Sequence, residues 1–103
     1  MQMNNLVIAT FPIVPGKTKE ITDFLMEIIP DTRSYKGCIS LELYLDETKN
    51  IYTLVQDWES LADYDKYVEW RQSTELFKTF DSLVIGGGAG IHMAQHGKSV
   101  ATW

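Results

Sequence analysis

An α+β domain of ferredoxin-like plan is predicted by three features of the 103-residue sequence. An apolar helical stripe lies between two strand-like runs, an alternating hairpin follows it directly, and a second helical stretch leads to a short run that can close the sheet. The expected architecture is a four-stranded antiparallel sheet with helices on one face. The other face of the sheet is then left to a second subunit or a cavity.

The elements follow in order. Residues Leu6 to Val14 are rich in β-branched side chains and end at Pro15-Gly16, which reads as a first strand and a turn. Pro12 lacks a backbone donor and suggests an edge position or a bulge. From Lys17 onward, Ile21, Phe24, Leu25, Ile28 and Ile29 recur at the spacing of one helix face. Pro30 falls inside that pattern, so the helix is expected to kink or restart before Tyr35 and Gly37 end it. The hairpin follows. Its first arm, Cys38 to Asp46, alternates Ile39, Leu41, Leu43 and Leu45 against Cys38, Ser40, Glu42 and Tyr44. Its return arm, Ile51 to Trp58, sends Tyr52, Leu54, Gln56 and Trp58 to one side and Ile51, Thr53, Val55 and Asp57 to the other. Neither side of the return arm has the composition of a water-facing surface, which predicts helices over one and a partner or cavity over the other.

Ser60 reads as a helix N-cap, with Asp63 three residues on. Helical spacing runs from Leu61 to about Trp70 and again from about Ser73 through Leu76, Phe77, Phe80, Leu83 and Val84. The run Gly86-Gly87-Gly88-Ala89-Gly90 stops it. This run follows a helix instead of preceding one, so it reads as a flexible connector and not as a phosphate loop. Either Ile91 to Gln95 or the last residues up to Trp103 supply the fourth strand. Residues 1–103 form one domain, and 86–103 fit the plan most loosely.

Composition removes several function classes. Net charge is −5 and the nine basic residues are scattered, so no footprint for nucleic acid or an anionic membrane is present. Cys38 is the only cysteine. That excludes an internal disulfide and a thiolate zinc site, and it suits a reducing cytoplasm. The N-terminus, Met1 to Asn5, lacks a basic region, and the apolar run after it is too short and alternating for an export signal or membrane helix. A soluble cytoplasmic protein is expected. His92 and His96 read as surface or pocket-lining residues, and Cys38 as an inert buried thiol.

Chemistry is expected between Trp58 and Arg71. There a strand ends in Trp58-Glu59-Ser60 and a helix carrying Tyr64, Tyr67, Trp70 and Arg71 follows at once. Aromatic faces, phenols and one guanidinium are the groups that hold a flat ligand, move a proton and stabilise an oxyanion. Each also has a packing reading: Trp58 as a core anchor, the helical aromatics as core, and Arg71 as a surface partner of Glu75 or Asp63.

With the Phe11 to Gly16 strand and turn, Ile28-Ile29-Pro30, Gly37-Cys38, Trp58-Glu59-Ser60 and Tyr67-Val68-Glu69-Trp70-Arg71 in this order, the chain resembles the antibiotic biosynthesis monooxygenase family. The resemblance implies a ferredoxin-like domain that pairs into a dimeric α+β barrel. It also implies a cofactor-independent monooxygenase that oxidises a small aromatic or quinol substrate with molecular oxygen. Trp58 then takes the place of the pocket tryptophan and Tyr64 that of the tyrosine beside the substrate phenol. Leu54 and Tyr44 stand where quinone-forming members carry an asparagine and a histidine. The haem-degrading pattern is unmatched, because Ala9 and Phe80 or Asp81 occupy its asparagine and histidine places. On this reading Tyr64 and Arg71 are catalytic, Trp58, Tyr44, Tyr67, Trp70 and Leu54 contact the substrate, and no metal takes part. The alternative is a non-catalytic dimeric ligand-binding or stress-associated domain of the same fold.

Overall fold

The fold is that of a computed structural model describing residues 4–103; Met1, Gln2 and Met3, part of the N-terminus read above as lacking a basic region, lie outside the described residues. Strand β1 (Leu6–Pro12) is followed by helix α1 (Thr18–Ser34), the hairpin β2 (Cys38–Asp46) and β3 (Ile51–Trp58), and helix α2 (Leu61–Ser73). A 3-10 segment (Glu75–Thr79) leads into the helical turn α3 (Phe80–Leu83). A second 3-10 turn (Gly87–Gly90) then precedes β4 (His92–Gly97). The strands form one antiparallel sheet in the order β2-β3-β1-β4, as the ferredoxin-like plan requires. Ile91 to Gln95, not the C-terminal residues, thus marks the fourth strand. Among the described residues no helix is long and apolar enough to cross a membrane.

Alternation along the strands separates two faces. Val7, Ala9 and Phe11 of β1 and Tyr52, Leu54, Gln56 and Trp58 of β3 are all buried, toward the helices. The stripe Ile21, Phe24, Leu25 and Ile28 of α1 is buried on them, with Phe80, Leu83 and Val84 closing one end. Leu6, Ile8, Thr53 and Val55 point to the other face and are only half-buried. This face carries no helix.

Three local expectations are corrected. β1 is a central strand, not an edge: Pro12 is its last residue, and its nitrogen costs the ladder nothing because β4 pairs with β1 only as far as Thr10. The Pro12 carbonyl instead accepts from the Ile85 N–H at 2.8 Å. Pro30 does not restart the helix, since α1 is one element from Thr18 to Ser34 with Pro30 on its exposed side; carbonyls freed there can turn to water. A bulge between Cys38 and Ser40 breaks the alternation of β2. Cys38 lies opposite Trp58 and is buried with Val7, Trp58 and Tyr64, where strict alternation places Ile39.

Two glycines position the helices that matter here. Gly37 has φ +93°, and a Cβ on it would stand 2.5 Å from the Asp63 side chain, so its smallness sets how closely the first turn of α2 approaches the hairpin. The glycine run has a definite form: a Cβ on Gly90 would lie 1.9 Å from the Ile85 carbonyl oxygen, which fixes a tight return into β4.

Candidate functional site

α2 is held at both ends of its approach to the sheet. Ser60 caps it by accepting from the Asp63 N–H at 3.1 Å. Upstream, the Asn5 amide donates to the Trp58 and Glu59 carbonyls at 3.0 and 3.1 Å, while the Asp57 carboxylate accepts the Asn4 and Asn5 N–H groups at 2.9 and 3.1 Å. Trp58 is therefore fixed at the end of β3. It has no exposed surface, and its indole N–H donates to Gln56 Oε1 at 3.0 Å. Its ring centroid lies 5.5 Å from that of Tyr64, edge to face, and 5.3 Å from that of Tyr67. Spacings of this kind add on the order of 1 kcal/mol per pair to the burial itself.

Between α2, α1 and the sheet lies a cavity of about 60 Å³, room for about two waters at roughly 30 Å³ each. Ala9, Leu54 and Phe80 give it apolar walls; Gln56, Tyr64, Tyr67, Thr32 and Arg71 supply the polar atoms. A surface depression lined by Tyr64, Asp65, Val68, Met93 and Gln95 shares three residues with it and marks its mouth between α2 and β4. Gln95 Nε2 donates to Asp65 Oδ1 at 3.1 Å across that mouth.

Arg71 is only 5% exposed. Its Nη2 donates to Thr32 Oγ1 at 2.8 Å and to the Ile28 carbonyl at 3.2 Å, and its Nε donates to the Tyr67 hydroxyl at 3.2 Å. Thr32 Oγ1 and the Tyr67 hydroxyl are themselves 2.8 Å apart. The guanidinium carbon stands 4.7 Å from the Trp70 ring centroid and 5.5 Å from that of Tyr67. No carboxylate among the described residues pairs with it, neither Glu75 nor Asp63. A guanidinium remains charged even when buried, so the cavity wall carries a cation balanced only by neutral dipoles and π faces.

Tyr64 is the complementary group. It is 3% exposed, and its hydroxyl is buried without a hydrogen-bond partner among the described residues. Burial, reinforced by Tyr67 and Asp65, pushes its pKa up to about 12. The phenol therefore stays protonated at neutral pH and keeps a proton to donate, as a hydrogen bond or in transfer. An unpaired buried hydroxyl costs about 1–3 kcal/mol unless a water or ligand satisfies it.

The candidate residues thus fall into three places. Tyr64, Tyr67, Arg71 and Leu54 line the cavity together. Trp58 stands behind Tyr64 and Tyr67 as their support. Trp70, 38% exposed, stacks on Tyr35 at 5.4 Å outside the cavity. Tyr44 is half exposed on β2, paired with Thr53 on the sheet face away from the helices, and lines no part of this cavity. Thr32 and Gln56 were missed by the sequence reading. The signal was present in each case, as a polar residue on a stripe otherwise apolar: Thr32 continues Ile21, Phe24, Leu25 and Ile28, and Gln56 interrupts Tyr52, Leu54 and Trp58.

Among the described residues the cavity wall offers no imidazole or thiol, and His92 pairs with Thr10 on the opposite face of the sheet, where His96 also lies.

Comparison with known proteins agrees with the topology. Residues 6–80 match the family model described as antibiotic biosynthesis monooxygenase. Among solved structures, a protein from Shewanella oneidensis is 23% identical with a TM-score of 0.73, the match covering 96% of this chain and 93% of that one. A conserved protein from Methanosarcina mazei is 18% identical over 94% of each chain, with a TM-score of 0.77. An antibiotic biosynthesis monooxygenase is 17% identical, covering 89% of this chain and 95% of its own, with a TM-score of 0.74. At these identities the structural likeness speaks for the fold alone. No curated protein matches the chain.

Proposed function

The chain belongs to the antibiotic biosynthesis monooxygenase family, and from that premise we propose that it oxidises a small aromatic or quinol-type molecule with molecular oxygen, without a bound cofactor, in the cavity beneath α2. The observation that carries this reading is the pairing, in one apolar cavity, of a buried phenol, Tyr64, with a buried cation, Arg71, neither having a hydrogen-bond partner or counterion respectively among the described residues. That combination is complementary to a flat ligand bearing an oxyanion.

The chemistry balances without help from a metal or flavin. An activated CH₂ beside a phenol or carbonyl loses a proton, and the resulting anion gives one electron to oxygen. The carbon radical and superoxide combine to a peroxide anion, which takes up a proton. Loss of water then leaves a carbonyl, so that CH₂ and O₂ become C=O and H₂O. The protein's part is to hold the anion. Arg71 stabilises its charge, neutral Tyr64 donates a hydrogen bond to its oxygen and can return a proton to the peroxide, and Leu54, Ala9 and Phe80 exclude water.

Oxygen uptake with a panel of anthrones and hydroquinones tests this. Tyr64→Phe is expected to lower kcat about tenfold to a hundredfold while changing KM little. Folded stability should hold or rise, because the deleted hydroxyl has no partner to lose. Unchanged turnover would remove Tyr64 from the mechanism. Saturable binding with no uptake above the spontaneous rate would favour the alternative, a ligand-binding domain that kept the fold without the chemistry.

The same proposal includes a homodimer. Leu6, Ile8 and Val55 leave an apolar strip on the helix-free face of the sheet, with Tyr44 half exposed at its β2 side. Facing two such sheets together removes that surface from water. Light scattering on a size-exclusion peak should give twice the chain mass of 11.8 kDa; a monomer at micromolar concentration would contradict the pairing.

A further inference from the structure

Among the described residues the cavity contains a cation but no base. Around the guanidinium of Arg71 the sheet contributes Ala9, Leu54, Gln56 and Met93, α1 contributes Ile28 and Thr32, and the chain after α2 contributes Phe77 and Phe80. None of these titrates. α2 adds only Tyr64 and Tyr67, two phenols, and the one carboxylate near the mouth, Asp65, is exposed and engaged by Gln95. Among the described residues no carboxylate, imidazole, amine or thiol on the cavity wall can take a proton from the ligand at neutral pH. A buried positive charge without a partner nevertheless raises the affinity for any anion that can replace water beside it.

Resting on the reading of this cavity as the substrate site, we infer that the ligand is selected as a preformed aromatic monoanion, a phenol, enol or hydroquinone acidic enough to have lost its proton to solvent before it binds, with its charged oxygen held by Arg71 and Tyr64. Ionisation is then a property of the ligand and not of an enzyme base. The protein discriminates among aromatics of similar shape by their acidity. High burial of Tyr64 is consistent with this assignment, because a phenol kept neutral at all physiological pH values donates to an anion without competing as a second negative charge.

The inference is tested by binding in the absence of oxygen, so that its outcome is independent of whether turnover occurs. Naphthols and hydroxynaphthoquinones of graded acidity are titrated into the 103-residue protein from roughly pH 5 to 9, with binding read by calorimetry. Below each ligand's own pKa the affinity should fall about tenfold per pH unit, so the midpoint moves from ligand to ligand. The corresponding methyl ethers should bind about a hundredfold more weakly. A naphthoate, already ionised across the range, should bind with no pH dependence. A midpoint common to all ligands, a pH-dependent naphthoate, or ethers that bind as tightly as the acids would each overturn the inference. If the acidity dependence is found but no ligand supports oxygen uptake, the proposed oxidation fails and the anion site stands.

Discussion

Trp58→Ala is expected to destabilise the fold by about 3–5 kcal/mol, the range for truncating a fully buried tryptophan. Trp58 has no exposed surface and touches Tyr35, Tyr64 and Tyr67 ring to ring. Its removal also strands Gln56, whose side-chain oxygen is occupied by the indole N–H. Domains of this size hold only about 5–15 kcal/mol in total, so the loss is a large fraction of what exists. Thermal unfolding followed by circular dichroism should show the midpoint falling by roughly 12 °C or more. Trp58→Phe, which keeps much of the ring volume, should recover over half of the loss. A midpoint within a few degrees of the parent for Trp58→Ala would mean that Trp58 is not the support of the α2 aromatics.

The second large effect has the opposite balance between stability and function. Arg71→Met is expected to leave stability unchanged or raise it slightly while lowering kcat/KM about a hundredfold, the scale of a lost charge-assisted contact in a dry site. Burying an unpaired charge is costly, and apolar side chains of similar reach often replace such charges without loss. The partners of Arg71 survive its removal: Thr32 Oγ1 and the Tyr67 hydroxyl stay within hydrogen-bonding distance of each other. The Ile28 carbonyl belongs to the ladder of α1. Chemical denaturation and oxygen uptake on the same preparation measure both quantities. A strong loss of stability with activity retained per folded molecule would show that Arg71 serves the fold alone.

Much of the fold was legible because burial and period coincide. The stripe Ile21, Phe24, Leu25 and Ile28, the alternation of Tyr52, Leu54 and Trp58, and the Ser60 cap each belong to a single element and are decided locally. Other features depended on neighbours that the sequence does not reveal. Pro12 can end a central strand only because β4 stops short beside it. Cys38 reaches the core only through a bulge, and Pro30 is absorbed on the exposed side of α1. The site divides in the same way. Tyr64, Tyr67 and Arg71 share a face of α2 by spacing alone. That Arg71 reaches Thr32, 39 residues away, is a tertiary fact. Tyr44 shows the converse: its aromatic character was visible, but its place on the helix-free face followed from the register of β2 on β3.

On the function proposed above, the cavity beneath α2 binds an aromatic anion and passes its electrons to oxygen. An oxygen electrode with metal-free, flavin-free protein and an ionised anthrone measures this most directly, together with product quantified by absorbance. Saturable uptake of one O₂ for each quinone formed is expected, with no hydrogen peroxide released. Uptake no faster than the uncatalysed rate for ligands that demonstrably bind, or stoichiometric release of peroxide without oxygen insertion, would contradict it.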